Sequence, residues 1–168
     1  LMEDNFEKEL YNNDNMKIKE NIEKFSFIIH PDEINMILLT PYDNIGNFMH
    51  ILNKWLFYSD NKHFVSILKN DNEINIMVSS NLLKNADNEV KYKKYPKKYN
   101  IIQIIEGTSI ISVSGIIHKL TGLFAEKKIP ILYNSTYLND YIFVQEGFLD
   151  EAINILEKNN LRKIELQD

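Results

Sequence analysis

The stretch IPILYNSTYLNDYIFVQ, residues 129–145, contains two apolar runs on either side of a polar segment. Ile129–Ser135 predicts a β-strand, and Asp140–Gln145 predicts its antiparallel hairpin partner. A short hairpin needs roughly two or three turn residues. This turn is richer in polar side chains, namely Asn134, Ser135, Thr136, Asn139 and Asp140. The surplus raises the question of what these side chains contact.

The segments on either side of the hairpin complete a regular order of elements. They are predicted to be Asn100–Ile105 (strand), Gly115–Lys127 (helix), Leu149–Asn159 (helix) and Leu161–Leu166 (strand). The resulting order, strand-helix-strand-strand-helix-strand, is that of the ferredoxin-like split-βαβ unit.

The first half of the chain carries a weaker copy of this order. Its predicted elements are the strands Phe25–His30 and Glu33–Thr40, a helix from Asp43 or Asn44 to Leu56, and a hairpin of His63–Lys69 with Glu73–Ser79. A turn signal at Pro31-Asp32 separates the two strands, and the second helix is short or absent after Asn81. We therefore predict an α/β (α+β) chain of two ferredoxin-like βαββαβ units, the first of them degenerate.

The segment between these units has few core residues. Residues 85–98 contain Pro96, and we predict a linker or a long surface loop there. Its tract KYKKYPKK, 91–98, interleaves lysine with tyrosine, a pattern that can bind single-stranded nucleic acid. The tract is short and belongs to an acidic chain, which favours a solvated loop instead. With a disordered or frayed N-terminus over 1–22, the predicted division is a degenerate unit at 23–84 and a complete unit at 99–168.

The composition excludes several classes of protein. The 168-residue chain has a net charge of -5 and a pI near 5.4, which argues against a protein that binds nucleic acid by neutralising phosphates. No apolar run is long enough to span a membrane, and no signal-peptide pattern appears. Cysteine is absent, which excludes thiol chemistry and fits the cytoplasm. The four histidines show no metal-ligand spacing, so we expect neither a metal nor another cofactor.

Three stretches of the second half match one known pattern. They are GII at 115–117, LFAEKKIPIL at 123–132 and STYLNDYIFV at 135–144. In these residues the chain resembles an ACT domain, a small-ligand-binding regulatory module of amino-acid metabolism, of the type found at the end of aspartate kinases and in CASTOR, the cytosolic arginine sensors. The first half is a weaker match, through FVSILKNDNEINIMV at 64–78. In length the chain is similar to one half of a CASTOR protein, which has four such units.

The resemblance implies a binding site for a free amino acid. In such domains the polar cluster lies at the end of a strand, beside the first helix of a neighbouring ACT unit, and the two form a pocket at the interface. Hydroxyl and helix N-terminal N–H groups can bind the ligand's carboxylate, whereas a carboxylate and strand carbonyls can bind its ammonium group. Carried over to this chain, the site residues are Ser114, Gly115, Lys119, Leu120, Ser135, Thr136, Tyr137 and Asp140.

Two of these positions bear on the identity of the ligand. By the resemblance, Lys119 and Leu120 correspond to a serine and a valine that contact arginine in the sensors. A lysine would repel a guanidinium group, so a neutral or acidic amino acid is expected rather than arginine. The alternative for each candidate is structural: Lys119 as a solvated helix residue, Thr136 and Asp140 as turn residues, and Ser114 as a helix cap.

Catalytic chemistry finds little support in the sequence. The single arginine, Arg162, lies in the last predicted strand, and there is no glycine-rich phosphate loop and no nucleophile–base signal. We therefore expect no enzyme, but a sensor or regulatory module that binds an amino acid at an ACT–ACT interface and self-associates, for instance as a homodimer. The alternatives are a scaffold for a protein partner with a degenerate pocket or, with less support, a small enzyme on the ferredoxin-like scaffold.

Overall fold

The computed structural model describes residues 25–39, 45–58, 63–85, 92–105 and 115–165. Its strands are β1 (Ser26–Leu39), β2 (Val65–Lys69), β3 (Ile74–Ser79), β4 (Lys93–Ile105), β5 (Ile131–Ser135), β6 (Asp140–Gln145) and β7 (Arg162–Lys163). Its helices are α1 (Ile45–Asn53), which a π-helical turn (Lys54–Tyr58) follows, α2 (Ser80–Lys84), α3 (Ile116–Glu126) and α4 (Leu149–Lys158). The predicted disordered N-terminus, 1–22, lies outside the described residues.

The chain divides into two compact units. We call His30–Ile101 the inserted unit, and the residues before and after it together form the outer unit. The boundaries fall inside β1 and β4, whereas the sequence predicted one boundary at 85–98 between two continuous halves.

The inserted unit has the element order β1-α1-β2-β3-α2-β4. Its strands lie in the order β2-β3-β1-β4, and β3 pairs antiparallel with both β1 and β2. This is the ferredoxin-like arrangement that the sequence predicts, and α2 is short, with five residues. The predicted β2–β3 hairpin is present. Its turn is stabilised by Asn70, whose Oδ1 accepts hydrogen bonds from the N–H groups of Asn72 at 2.8 Å and Glu73 at 3.0 Å.

The core of the inserted unit lies between its helices and one face of its strands. Phe48 and Trp55 of the α1 segment are buried, and their rings pack edge to face with centroids 5.6 Å apart. The remaining buried members of this cluster are Ile37, Leu39, Ile51, Leu52, Ile76, Val78, Leu82 and Leu83. The helical spacing predicts an apolar face with Ile45, Phe48, Met49, Leu52, Trp55 and Leu56. Of these residues Phe48, Leu52 and Trp55 are buried, whereas Met49 and Leu56 are exposed.

The outer unit continues through α3, β5, β6, α4 and β7. β5 and β6 form the predicted antiparallel hairpin, paired from Ile131 opposite Val144 to Ser135 opposite Asp140, and β6 lies beside β4. The helices bury one face of these strands. Its core contains Phe25, Phe27, Ile102, Ile104, Ile116, Leu120, Phe124, Ile129, Ile142, Val144, Ala152, Ile155, Leu156 and Leu161.

The first strand corrects one prediction. β1 is continuous, so the predicted turn at Pro31-Asp32 is wrong. β7 pairs in parallel with Ser26 and Phe27 at the start of β1, and β3 pairs with β1 from Ile34 onward. Pro31 lies between these two pairings, where its missing N–H removes no hydrogen bond from either ladder. The predicted last strand is also shorter than expected, because β7 comprises only two residues.

The fourth strand corrects a second prediction. β4 begins at Lys93, so the predicted linker or loop is a strand from that residue onward, and 86–91 lie outside the described residues. Residues 93–97 are exposed, and Lys98 is half-buried. A strand that is exposed on both faces gives no alternating apolar pattern, which is why its sequence resembles that of a loop.

Candidate functional site

The tip of the β5–β6 hairpin is closed by Thr136 and Asn139. The Thr136 N–H donates to the Asn139 carbonyl at 2.8 Å. The Thr136 hydroxyl donates to the same carbonyl at 3.0 Å and accepts from the Asn139 N–H at 3.1 Å. Thr136 therefore stabilises the turn, which is the structural alternative to ligand binding that the sequence analysis gave for this residue.

Asn139 also links the tip to the neighbouring strand. The Gln103 side chain in β4 donates from Nε2 to Asn139 Oδ1 at 2.8 Å. The Asn139 side chain further contacts Tyr141: burial raises the pKa of the Tyr141 hydroxyl, and a hydrogen bond with Asn139 opposes that rise. The half-buried side chains of Gln103, Asn139 and Tyr141 thus connect the tip to β4.

Sequence reasoning did not include Gln103 or Asn139 in the site. Asn139 stands within the polar segment that drew attention to the hairpin, so that signal was visible. Gln103 is the one polar residue in the run NIIQII, 100–105, apart from its first asparagine. Nothing in that run predicts its partner, which is 36 positions away along the chain.

Ser135 and Asp140 face each other across the end of the hairpin. They are direct cross-strand partners, and the side chains of such partners lie with Cβ atoms about 4.5–5.5 Å apart. They share a face with the pair Tyr133 and Ile142, whose side chains pack against the core. Ser135 is exposed and Asp140 is half-buried. A hydroxyl and a carboxylate are therefore presented together at the open end of this face.

The helix candidates differ in their exposure. Gly115 precedes α3 with a φ of 88° and its carbonyl accepts a hydrogen bond from the Lys119 N–H at 3.0 Å. That backbone conformation favours glycine, and no side chain of the described residues caps the helix N-terminus. Lys119 is half-buried, whereas Leu120 is only 1% exposed and belongs to the core. Ser114 lies outside the described residues.

Among the described residues of the outer unit, the most exposed apolar side chains lie at the same tip. Tyr137 is 97% exposed and Leu138 is 81% exposed. The structure therefore brings Ser135, Thr136, Tyr137 and Asp140 together at one end of the hairpin. It places Gly115 directly before α3 and Lys119 and Leu120 on that helix.

The described part of the chain shows neither a metal-binding cluster nor a membrane-spanning helix. Those residues contain no group of three or more His, Cys, Asp or Glu side chains that could hold a metal ion. None of the helices within the same ranges has the length and apolar character needed to cross a membrane.

Comparisons with known proteins agree with this architecture. Residues 95–158, which include α3, the β5–β6 hairpin and α4, match the family model of the ACT domain. None of the curated proteins matches the sequence. Among solved structures, the chain is similar to a protein from Agobacterium tumefaciens, with a TM-score of 0.62 and 16% identity over 86% of this chain and 96% of that one.

Aspartate kinases have similar regions. The regulatory subunit of aspartate kinase from Thermus thermophilus has a TM-score of 0.54 and 8% identity, over 79% of this chain and 95% of that subunit. Aspartate kinase from Synechocystis has a TM-score of 0.58 and 15% identity, over 85% of this chain and 28% of the enzyme. Residues 95–158 thus carry the sequence pattern of an ACT domain, and the chain has the α+β fold seen in regulatory regions of aspartate kinases.

Proposed function

We propose that the protein is a non-catalytic regulatory module whose state depends on a free amino acid bound at the tip of the β5–β6 hairpin. The main support for this proposal is the pairing of Ser135 with Asp140 at the open end of the hairpin, within the segment that matches the ACT domain. The ligand-binding ACT modules that this segment resembles supply the class of ligand.

The chemistry of the tip suits a zwitterion. The Asp140 carboxylate can accept hydrogen bonds from the ligand's ammonium group, and the Ser135 hydroxyl can donate to its carboxylate. The N-terminus of α3 offers further N–H groups, because Gly115 provides no capping side chain. We propose that the pocket forms at an interface, between the hairpin tip of one ACT unit and this helix end of a second ACT unit.

Lys119 decides the charge of the ligand. It lies one turn into α3 and is half-buried, so a ligand near this helix end would experience its positive charge. A guanidinium group would be repelled and a carboxylate side chain attracted. We therefore favour a neutral or acidic amino acid over arginine as the ligand. The resemblance to CASTOR suggests that the role of the protein is nutrient sensing.

The hydrogen bond between Gln103 and Asn139 makes the tip a rigid part of the site. A binding site that is fixed before the ligand arrives loses less conformational entropy on binding. The exposed Tyr137 and Leu138 fit a surface that a second copy of the chain covers. We propose a homodimer, and the absence of cysteine supports the cytoplasm as its location.

Thermal unfolding in the presence of each of the twenty amino acids tests the proposal. A ligand at about a hundred times its Kd stabilises the folded state by about 2.7 kcal/mol, which raises the Tm of a chain of this size by roughly 5–10 °C. Asp140→Ala should abolish the shift, and Lys119→Ser should admit arginine. Asp150→Ala, which removes an exposed carboxylate from α4, is the matched control. A shift that survives Asp140→Ala unchanged would place the ligand elsewhere.

One observation favours a second candidate, a protein-interaction scaffold. In the inserted unit, four large apolar side chains around the end of α1 are 44–84% exposed: Met49, Leu56, Phe57 and Tyr58. Exposed apolar clusters mark interaction surfaces. If no amino acid raises the Tm while Phe57→Ser lowers the molar mass in sedimentation, a scaffold that self-associates through this cluster replaces the first candidate.

A further inference from the structure

The first part of β4 displays lysine and tyrosine in strict alternation on one face. Side chains of a strand point to opposite faces in turn, so Lys93, Tyr95, Lys97 and Tyr99 share a face. We call it the Lys–Tyr face. Lys93, Tyr95 and Lys97 are exposed, and Tyr99 is buried.

Tyr95 is supported by Tyr99. Their rings stack with centroids 6.2 Å apart and an angle of 22° between the planes. Tyr99 is only 5% exposed, whereas Tyr95 is 43% exposed. A buried ring therefore backs an accessible one, which keeps the Tyr95 ring in a defined orientation at the surface.

The lysines of this face form no ion pair within the described residues. Within the described parts of the chain, no carboxylate lies within ion-pair distance of Lys93 or Lys97. Lys98, on the opposite face, is different, because its Nζ lies 2.5 Å from Glu33 Oε2. Lys93 and Lys97, which flank Tyr95 on this face, therefore carry charge that no carboxylate of the described residues compensates, and the same is true of Lys94 on the opposite face.

The backbone of this segment is protected against another protein strand. Within the inserted unit β4 is the edge of the strand order β2-β3-β1-β4. Pro96 lacks the N–H that an added strand would pair with, and lysines on an edge oppose such pairing. We therefore expect a partner to contact the side chains of Lys93–Lys97 rather than their backbone.

We propose that the Lys–Tyr face binds single-stranded nucleic acid, with a base stacked on Tyr95 and phosphates near Lys93 and Lys97. At a rise of about 3.3 Å per residue, the two lysines lie about 13 Å apart along the strand with the ring between them. Single-strand binding surfaces combine stacking rings with cations in this way. Lysine alone would suit any polyanion, but a supported and accessible ring selects a partner with bases.

The acidic character of the chain does not oppose this local interaction. The net charge is -5, but at physiological ionic strength charges further apart than about 8 Å are largely screened. The phosphates would therefore respond to the nearby lysines. The surface belongs to the inserted unit and involves none of the residues proposed for amino-acid binding.

Fluorescence anisotropy with a labelled single-stranded oligothymidylate at low salt tests the role of the ring. Loss of base stacking costs about tenfold or more in affinity, so Tyr95→Ala should weaken binding by at least that factor. Tyr95→Phe keeps the stacking ring and should bind like the unchanged protein. Tyr58→Ala, which removes an exposed tyrosine elsewhere in the inserted unit, is the matched control and should also bind normally.

The salt dependence tests the role of the lysines. Each phosphate contact on a single strand contributes about 0.7 to the slope of log K against log salt, so the double variant Lys93→Ala/Lys97→Ala should reduce that slope by about 1.4. Lys69→Ala/Lys84→Ala removes the same charge from exposed positions of the same unit and should leave the slope unchanged.

Three results would overturn the proposal. They are no binding at low salt, equal affinity of Tyr95→Ala and Tyr95→Phe, and an equal loss of slope in the two lysine variants. Duplex of the same sequence must also bind more weakly than the single strand, since its bases are not free to stack. The amino-acid response measured by thermal unfolding should be the same in all of these variants, which separates this proposal from the proposed function.

Discussion

The Nδ1 atom of His63 lies 2.8 Å from Oδ2 of Asp32, so a residue just before β2 is joined to the middle of β1. The other oxygen of Asp32 accepts a hydrogen bond from Asn81 Nδ2 in α2 at 3.1 Å. Side chains from three separate segments of the inserted unit thus meet at one carboxylate. Both members of the first pair are largely shielded, with side chains 22% and 14% exposed.

Removal of this carboxylate should destabilise the inserted unit. Asp32→Ala loses both hydrogen bonds, and we expect the free energy of unfolding in urea to fall by about 1–3 kcal/mol. His63→Ala loses one of the bonds and should cost less. If the double variant loses as much as the sum of the two single variants, the pair is not coupled and the interpretation is wrong.

Asn35 and Ser80 form a buried polar pair with a different expected outcome. The side chain of Asn35 is 1% exposed, and its Nδ2 donates to Ser80 Oγ at 2.7 Å, whereas its Oδ1 has no partner within the described residues. Ser80→Ala leaves the amide without this bond and should cost about 1–3 kcal/mol. Asn35→Leu/Ser80→Ala replaces the polar pair by apolar groups and should recover most of that loss in a urea titration. A double variant that is less stable than Ser80→Ala would refute this account.

Two glycines should respond oppositely to alanine. A Cβ added at Gly122 in α3 or at Gly147 before α4 would meet no atom within 4 Å, but only Gly147 has a positive φ, of 89°. Gly122→Ala should raise the free energy of unfolding by about 0.5–1 kcal/mol, because alanine is the better helix residue. Gly147→Ala should lower it by about 1 kcal/mol or more, because alanine is strained there. Equal effects of the two changes in chemical denaturation would contradict the assigned backbone conformations.

Alkaline pH should weaken the fold through two tyrosines. Burial raises the pKa of Tyr99, with smaller contributions from Tyr95, and burial also raises the pKa of Tyr141. Above a pH of about 10 the unfolded chain releases these protons first. The unfolded state then binds fewer protons than the folded state, so the free energy of unfolding falls as the pH rises. The contribution is complete below that pH and is lost as the pH rises toward the folded pKa values.

Denaturant titrations at several alkaline pH values measure this fall. Tyr99→Phe and Tyr141→Phe should each make it shallower. Tyr137→Phe serves as the control, since that side chain is 97% exposed. A dependence that is equally steep in all four proteins would show that these two phenols are not its source.

The sequence predicted the outer unit better than the strands that lead into it. The hairpin of residues 129–145 consists of two apolar runs on either side of a distinct polar turn segment, so both strands were predicted. Pro31 and the lysine tract each carry the local signature of a turn or loop. Their places within β1 and β4 depend on pairing with distant strands, and such pairing leaves no trace in the local pattern.

The same reasoning explains what was predicted of the site. The many polar residues at 134–140 identified the hairpin tip as a candidate site, because a hairpin turn does not need so many hydrogen-bonding side chains. The bond from Gln103 to Asn139 joins residues far apart in the sequence, and only the folded strand order brings them together. The burial of Leu120 likewise follows from packing, since a leucine on an amphipathic helix can lie at the centre or at the margin of its apolar face.

The pairing of Ser26 and Phe27 with Arg162 and Lys163 has a consequence for synthesis on the ribosome. The inserted unit is continuous in sequence, so all of its strands emerge before the outer unit is finished. The first residues of β1 cannot form this pairing until β7 has been synthesised, which at about 5–20 residues per second happens on the order of ten seconds later. We expect the inserted unit to become resistant to protease on stalled chains once Ile101 has left the ribosome, and the outer unit only once β7 has also emerged.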